Sequence, residues 1–261
     1  MKKITFYLIM LCFPLSMLAQ KQGVIIYDVI IKMETNIDLN NIPDAQAIPG
    51  LAEMLAKMPK SNTQKMELLF SEKETLYKNF SNDSSSNETS ISDGDENVQI
   101  KMIMKMPENK LYKDLSSKQI VEQRKMFDKK FLIKYLDDKI SWKMTGQQDS
   151  ILDYPCYQAE YTKDSIKVIA WFTPNIPISA GPSKYGQLPG LILKVDIDNG
   201  RTTIIAKRIV SKKLEKGEIE KPSKGKKVSL DEYEKIQKDK QKEMEEMYGG
   251  KKGVIIKMET E

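Results

Sequence analysis

The chain has 261 residues, 42 of them basic and 37 acidic, and contains no histidine. That balance argues against a nucleic-acid partner, which needs concentrated positive charge. The missing imidazole excludes a Ser-His-Asp or Cys-His catalytic unit and imidazole-ligated zinc or copper.

The N-terminus reads as a targeting segment. Lys2 and Lys3 precede an apolar run over 4–18, broken by Thr5, Cys12, Pro14 and Ser16, and Ala19 supplies the small residue before a cleavage point. Residues 1–19 therefore form a secretory signal peptide, because the run falls short of the ~20 apolar residues a membrane span needs. The product is expected to be exported, to the periplasm or the cell surface, with no transmembrane segment after signal removal. Residues 20–261 are enough to bury one sizeable core and read as a single β-rich domain. Cys156 is then the one remaining thiol, so no internal disulfide can form, and its apolar neighbours predict burial.

Residues 23–35 (GVIIYDVIIKMET) are rich in Val and Ile and predict a long, largely buried strand. Leu51, Met54, Leu55 and Met58 fall at helical spacing and predict a short amphipathic helix over 50–58. Residues 63–79 alternate, with Met66, Leu68 and Phe70 on one face, and give two strands around a turn at 71–74. Residues 82–97 are acidic and lack aromatics. They cannot bury enough surface to offset the entropy of ordering, and read as a mobile surface loop. Alternation resumes over 98–106 and again at 111–114; the stretch 122–134 fits strand or helix. Residues 139–145 contain Trp142 and carry no clear pattern. Residues 154–162 and 166–173 flank a hairpin signal at Lys163 and Asp164. The clearest hairpin joins 191–197 to 201–210 through Asp198-Asn199-Gly200, where Asn-Gly supplies positive φ. Ser229, followed three residues on by Glu232, makes a capping box that opens a charged helical segment over 229–248. Residues 253–260 (GVIIKMET) read as a last strand and echo the segment 23–35.

Recurrent short strands with turn signals between them predict a mainly β fold. We expect a curved antiparallel sheet or half-barrel, with one or two short packed helices and the charged C-terminal helix.

One stretch carries a specific pattern. Trp171-Phe172-Thr173-Pro174-Asn175-Ile176-Pro177-Ile178 leads into Gly181-Pro182-Ser183-Lys184-Tyr185-Gly186-Gln187-Leu188-Pro189-Gly190-Leu191-Ile192. The prolines fix φ and withhold donors. The glycines permit close backbone approach, and Leu188-Pro189-Gly190-Leu191 predicts a type II turn. Such a rigid corner either sets the register of the next hairpin or presents a ligand- or partner-binding surface. For the second role it offers Trp171, Pro182, Tyr185, Leu188, Pro189, Gly190 and Leu191. No motif marks a catalytic residue, a metal site or a cofactor.

At these residues the chain resembles the GLPGLI family of exported Bacteroidetes proteins, which is related to a family first defined in Porphyromonas. The signature is Tyr185 through Ile192, with Gln187 in place of the first glycine of the family name. Asp153-Tyr154-Pro155-Cys156 with Ala159, Ile176-Pro177-Ile178 and Gly181-Pro182 extend the likeness. The resemblance implies export and carries no established activity.

Two functional readings stay open. In the first, a curved sheet with Met-rich strands (Met66, Met102, Met104, Met106, Met126) holds an apolar ligand, a lipid or a peptide, since Met adapts to irregular surfaces. In the second, the Pro-rich or the acidic loop makes the chain a structural or assembly module for a partner such as an outer-membrane transporter complex. A carboxylate-dependent hydrolase is a third reading; it would need two perturbed Asp or Glu side chains converging in one cleft.

Overall fold

The computed structural model describes residues 21–32, 59–80, 87–92, 99–104, 108–126 and 128–249. The expected signal, the helix over 50–58 and the strand over 253–260 lie outside the described residues. In chain order the elements are β1 (Gly23–Lys32), β2 (Ser61–Phe70), β3 (Glu74–Asn79), β4 (Asn87–Ser92), β5 (Gln99–Met104), β6 (Asn109–Asp114), β7 (Gln119–Met126), β8 (Lys129–Leu136), β9 (Lys143–Ile151), β10 (Tyr154–Lys163), β11 (Ile166–Thr173), β12 (Leu191–Ile197), β13 (Thr202–Ser211), β14 (Lys226–Val228) and α1 (Leu230–Gly249).

Twelve strands form one open sheet in the order β14-β8-β7-β6-β3-β2-β1-β13-β12-β11-β10-β9. Every pairing is antiparallel except β14 with β8. β1 sits near the middle, and each flank is a meander hung from it. The expected mainly β sheet is therefore present, long and not closed into a barrel. Within the segment read as a mobile loop, Asn87–Ser92 is a strand that pairs with β5 in a separate two-stranded sheet. The rest of 82–97 lies outside the described residues.

The sheet has to curve. β8 and β9 lie near opposite ends of it, so in a flat sheet they would be roughly 48 Å apart at ~4.8 Å per strand. The short connection from Leu136 to Lys143 spans about 25 Å at most. Curling brings the inner faces of the two flanks together. Ile25, Tyr27, Leu68, Phe70, Tyr77 and Leu111 then share one buried cluster with Ala159, Ala170, Phe172, Val195 and Ala206. β1 shows why. Its odd-numbered residues Ile25, Tyr27 and Val29 are buried, and the even-numbered ones alternate to the outer face. A smaller cluster on the outer face (Leu69, Leu76, Tyr112, Val121, Leu132) is covered by Leu214 and Ile219.

Local signals explain most turns. Ser71 Oγ accepts the Glu74 N–H at 3.1 Å and closes the β2–β3 turn. Asp198, Asn199 and Gly200 all have positive φ, as the β12–β13 hairpin demands. The β10–β11 turn is centred on Asp164 and Ser165, both at positive φ, one residue beyond the expected position. The stretch 122–134, which fitted strand or helix, forms β7 and β8. β9 begins at Lys143, one residue after Trp142. It is an exposed, polar edge strand, so its sequence lacks the alternation that would mark it. α1 opens on the expected capping box: the Glu232 N–H donates to Ser229 Oγ and the Ser229 N–H to Glu232 Oε2, at 3.1 and 2.8 Å. Its first turns pack Tyr233 edge-on against Phe131, with ring centroids 5.4 Å apart. Among the described residues no helix is long and apolar enough to cross a membrane.

Candidate functional site

Thr173 and Leu191 are paired at the ends of β11 and β12, and residues 174–190 leave the sheet there. They fold into the concave face. Ile176, Ile178, Ala180, Tyr185 and Leu188 are all buried, in one cluster with both flanks. The loop thus fills the space a ligand would occupy in an open half-barrel.

Its backbone is a chain of tight turns. The Ile178 N–H donates to the Ile176 carbonyl across Pro177, and the Gly190 N–H to the Leu188 carbonyl across Pro189, both at 2.8 Å. These are γ-type turns, and the φ that proline enforces lies close to that of an inverse γ-turn. The expected type II turn at Leu188 to Leu191 is absent, because the Leu191 N–H donates instead to the Ile176 carbonyl at 3.0 Å. Gly190 has φ +152°, and a Cβ there would sit 2.2 Å from the Thr173 carbonyl oxygen. Position 190 therefore admits only glycine.

The loop is tied to three other parts of the chain. From β1, the Tyr27 hydroxyl donates at 2.7 Å to the carbonyl of Ile192, the second residue of β12, just past the loop's end. From β6, Lys113 Nζ donates to the Lys184 carbonyl at 3.1 Å and pairs with Asp137 at 3.0 Å. The Lys113 side chain is 5% exposed. Burial lowers its pKa, and the Asp137 charge and hydrogen bond oppose that shift. From the β8–β9 connection, Trp142 Nε1 donates to the Gly186 carbonyl at 2.9 Å, with the indole edge-on to Tyr161 at 4.8 Å.

Gln187 makes the fourth tie. It lies at φ +65°, in the left-handed region where glycine is at ease. Its amide clamps the same connection at both ends: Nε2 donates to the Asp138 carbonyl at 2.7 Å, and the Ile140 N–H donates to Oε1 at 3.0 Å. Two hydrogen bonds at about 1 kcal/mol each offset the roughly 1–2 kcal/mol cost of the αL backbone. Glutamine at this left-handed position thus has a physical basis.

Residues 160–194 match a family model described as Protein of unknown function (Porph_ging). That span holds the loop and its framing strands: the end of β10, all of β11 and the start of β12. No curated protein matches the chain. Among solved structures, "Structure of PNGF-II in P21 space group" is similar at TM-score 0.55 and 14% identity, over 83% of this chain and 33% of that one. A second, "Structure of PNGF-II in C2 space group", is similar at TM-score 0.54 and 15% identity, over 82% and 32%. The likeness is one of fold, and the chain spans about a third of the length of these neighbours.

Of the seven residues proposed from sequence, Pro182, Tyr185, Leu188, Gly190 and Leu191 converge inside the concave face. Pro189 is exposed at its rim. Trp171, in register with Lys194 and Gln158, is half-buried and packs against the margin of the same core cluster rather than within the loop. Sequence reasoning missed Lys113 and Asp137. The signal was present, since alternation places Lys113 on the same face as the buried Leu111.

The remaining chemistry is quiet. Cys156 is buried and donates to the Tyr154 carbonyl at 3.3 Å, and burial pushes its thiol up to about 11, far from thiolate chemistry at neutral pH. Glu122 is buried against Arg124 at 2.7 Å and accepts from the Tyr135 hydroxyl at 3.0 Å. This cluster compensates its own charge. Among the described residues, no three Cys, Asp or Glu side chains gather as a metal site would require. A shallow recess of about 290 Å³ lies on the outer face beside the β12–β13 hairpin, lined by Lys32, Lys167, Ile169, Asp196 and Thr203.

Proposed function

We propose that the chain is an exported, non-catalytic module of the cell envelope that engages a partner protein, with the Pro/Gly loop as its internal strut. The observation that carries this reading is the filling of the concave face by Ile176, Ile178, Tyr185 and Leu188. A lipid carrier of the half-barrel type needs that space open. The rim left outside is apolar and rigid. Pro174, Pro177 and Pro189 are exposed there, and Tyr157 and Leu152 of the β9–β10 hairpin are 40% and 39% exposed. Leu152 also holds φ +51°, an unfavourable backbone for a bulky residue whose side chain gains little burial. Such rims suit protein contact.

The test is photo-crosslinking in the producing cell, from a reactive side chain placed at Tyr157 or Pro189, with Lys163 at the far end of the same hairpin strands as reference. The expected result is a discrete adduct from the first two positions and none from the third. Native mass spectrometry of the purified chain supplies the opposing outcome: a stoichiometric lipid or peptide whose loss exposes Tyr185 would replace this reading with that of a carrier.

A further inference from the structure

The outer face of the other flank carries a charge pattern that the fold does not require. β3, β6, β7, β8 and β14 present Lys78, Lys110, Lys125, Lys130, Lys134 and Lys227 on that face. Register places Lys78 directly opposite Lys110, and Lys125 directly opposite Lys130. Like charges facing each other across an antiparallel pair are destabilising. The face is fixed by parity: Phe131 and Ile133 of β8 point inward to Tyr233, so Lys130, Leu132, Lys134 and Leu136 point outward. Lys227 stands opposite Leu132 and shares its side.

Carboxylates answer only part of this charge. Lys78 pairs with Glu67 at 3.2 Å and Lys130 with Glu108 at 3.5 Å. Lys110, Lys125, Lys134 and Lys227 have no carboxylate partner among the described residues. The other flank differs. There Lys167 pairs with Glu160 and Lys194 with Asp196, both at 2.8 Å, and Lys143 stands opposite the same Glu160 in register. At the end of the row stands Leu136, 68% exposed and the most exposed of the large apolar side chains named for this fold. It leaves about two-thirds of its surface in water.

We infer that this face docks on an anionic lipid bilayer. The patch has no guanidinium fork for a bidentate phosphate, since Arg124 of β7 points inward to Glu122 and Tyr233, and its aromatic, Tyr112, is buried beneath Lys221 and closed to stacking. Flexible ammonium groups spread over several strands match a fluid plane of diffuse negative charge. Leu136 adds one apolar side chain that can enter the headgroup layer. The surface is separate from the Tyr157–Pro189 rim, so the inference stands or falls independently of the partner reading above.

The experiment is co-flotation of the full mature chain with vesicles, either phosphatidylcholine alone or equal parts phosphatidylcholine and phosphatidylglycerol. Binding is expected with the mixed vesicles only, and is expected to weaken steeply as salt is raised. The triple variant Lys125→Gln, Lys130→Gln, Lys134→Gln should bind on the order of 100-fold more weakly, at about fivefold per lysine. Leu136→Gln should bind severalfold more weakly with the salt dependence unchanged. Lys139→Gln, Lys143→Gln, Lys163→Gln removes the same charge elsewhere and should leave binding within about twofold. Equal loss in both triple variants would reduce the effect to net charge and overturn the site. So would wild-type binding to soluble polyacrylate with none to the mixed vesicles. Circular dichroism of each variant separates lost binding from lost fold.

Discussion

The two flanks of the sheet fill their inner faces by different means. Around β1, β2 and β10 to β13 the inner face is apolar, and the Pro/Gly loop packs into it with Ile176, Ile178 and Leu188. Along β6 to β8 it carries Lys113, Glu122, Arg124 and Tyr135, paired with one another, with Asp137 or with the loop backbone. The first arrangement tolerates volume-conserving exchange and fixes shape loosely. The second fixes register, because each polar group must meet a particular partner or remain buried without one. The loop touches both and joins them.

The sharpest way to break this comparison is at Gly190. Gly190→Ala drives a methyl group into the Thr173 carbonyl and should cost more than about 4 kcal/mol in urea unfolding, enough to lose the fold. Gly146→Ala, at φ +80° but with open space around it, is the reference and should cost about 1 kcal/mol. Next comes Lys113→Met, which leaves Asp137 without its partner and should cost about 3 kcal/mol. Adding Asp137→Leu should restore part of that loss, and a double-mutant cycle measures how much.

Gln187 gives a smaller and more discriminating pair. Gln187→Ala keeps the αL strain and loses both amide bonds, for about 2 kcal/mol. Gln187→Gly loses the bonds and the strain together and should fall within about 1 kcal/mol of wild type. If the glycine variant proves the less stable of the two, strain is not what the amide offsets.

The smallest effect is alkaline. Burial raises the pKa of Tyr27 and Tyr77 above the ordinary tyrosine value. Their stabilisation is complete below the unfolded value of about 10 and is lost as pH rises beyond it, by about 1.4 kcal/mol per pH unit for each group. Tyr77→Phe should flatten the stability-against-pH curve above pH ~10 by that amount and leave it unchanged at neutral pH.

Much of the apolar flank could be read from the chain itself. Alternation in GVIIYDVII sets the faces of β1, Asn199-Gly200 sets one hairpin, and Ser229 with Glu232 opens α1. β9 escaped because an edge strand exposed on both faces has no reason to alternate, and its Gly146 interrupts the register with β10. The direction of the loop was also hidden. Proline and glycine dictate its turns, but the side of the sheet it enters depends on Lys113, Trp142 and Tyr27, which lie 71, 44 and 165 residues from their backbone partners. No local pattern reports such distances.

The central place of β1 bears on how the chain is made. Gly23 pairs with Ser211 on one side and with Phe70 on the other. Of the strands described, the one made first therefore keeps one open edge until nearly the last has been synthesised. Contacts this distant in sequence form slowly, because the loop must close before any of its pairing is gained. Until β13 arrives, the uncovered β1 edge is an unpaired strand of the kind that chaperones bind and that pairs with other chains.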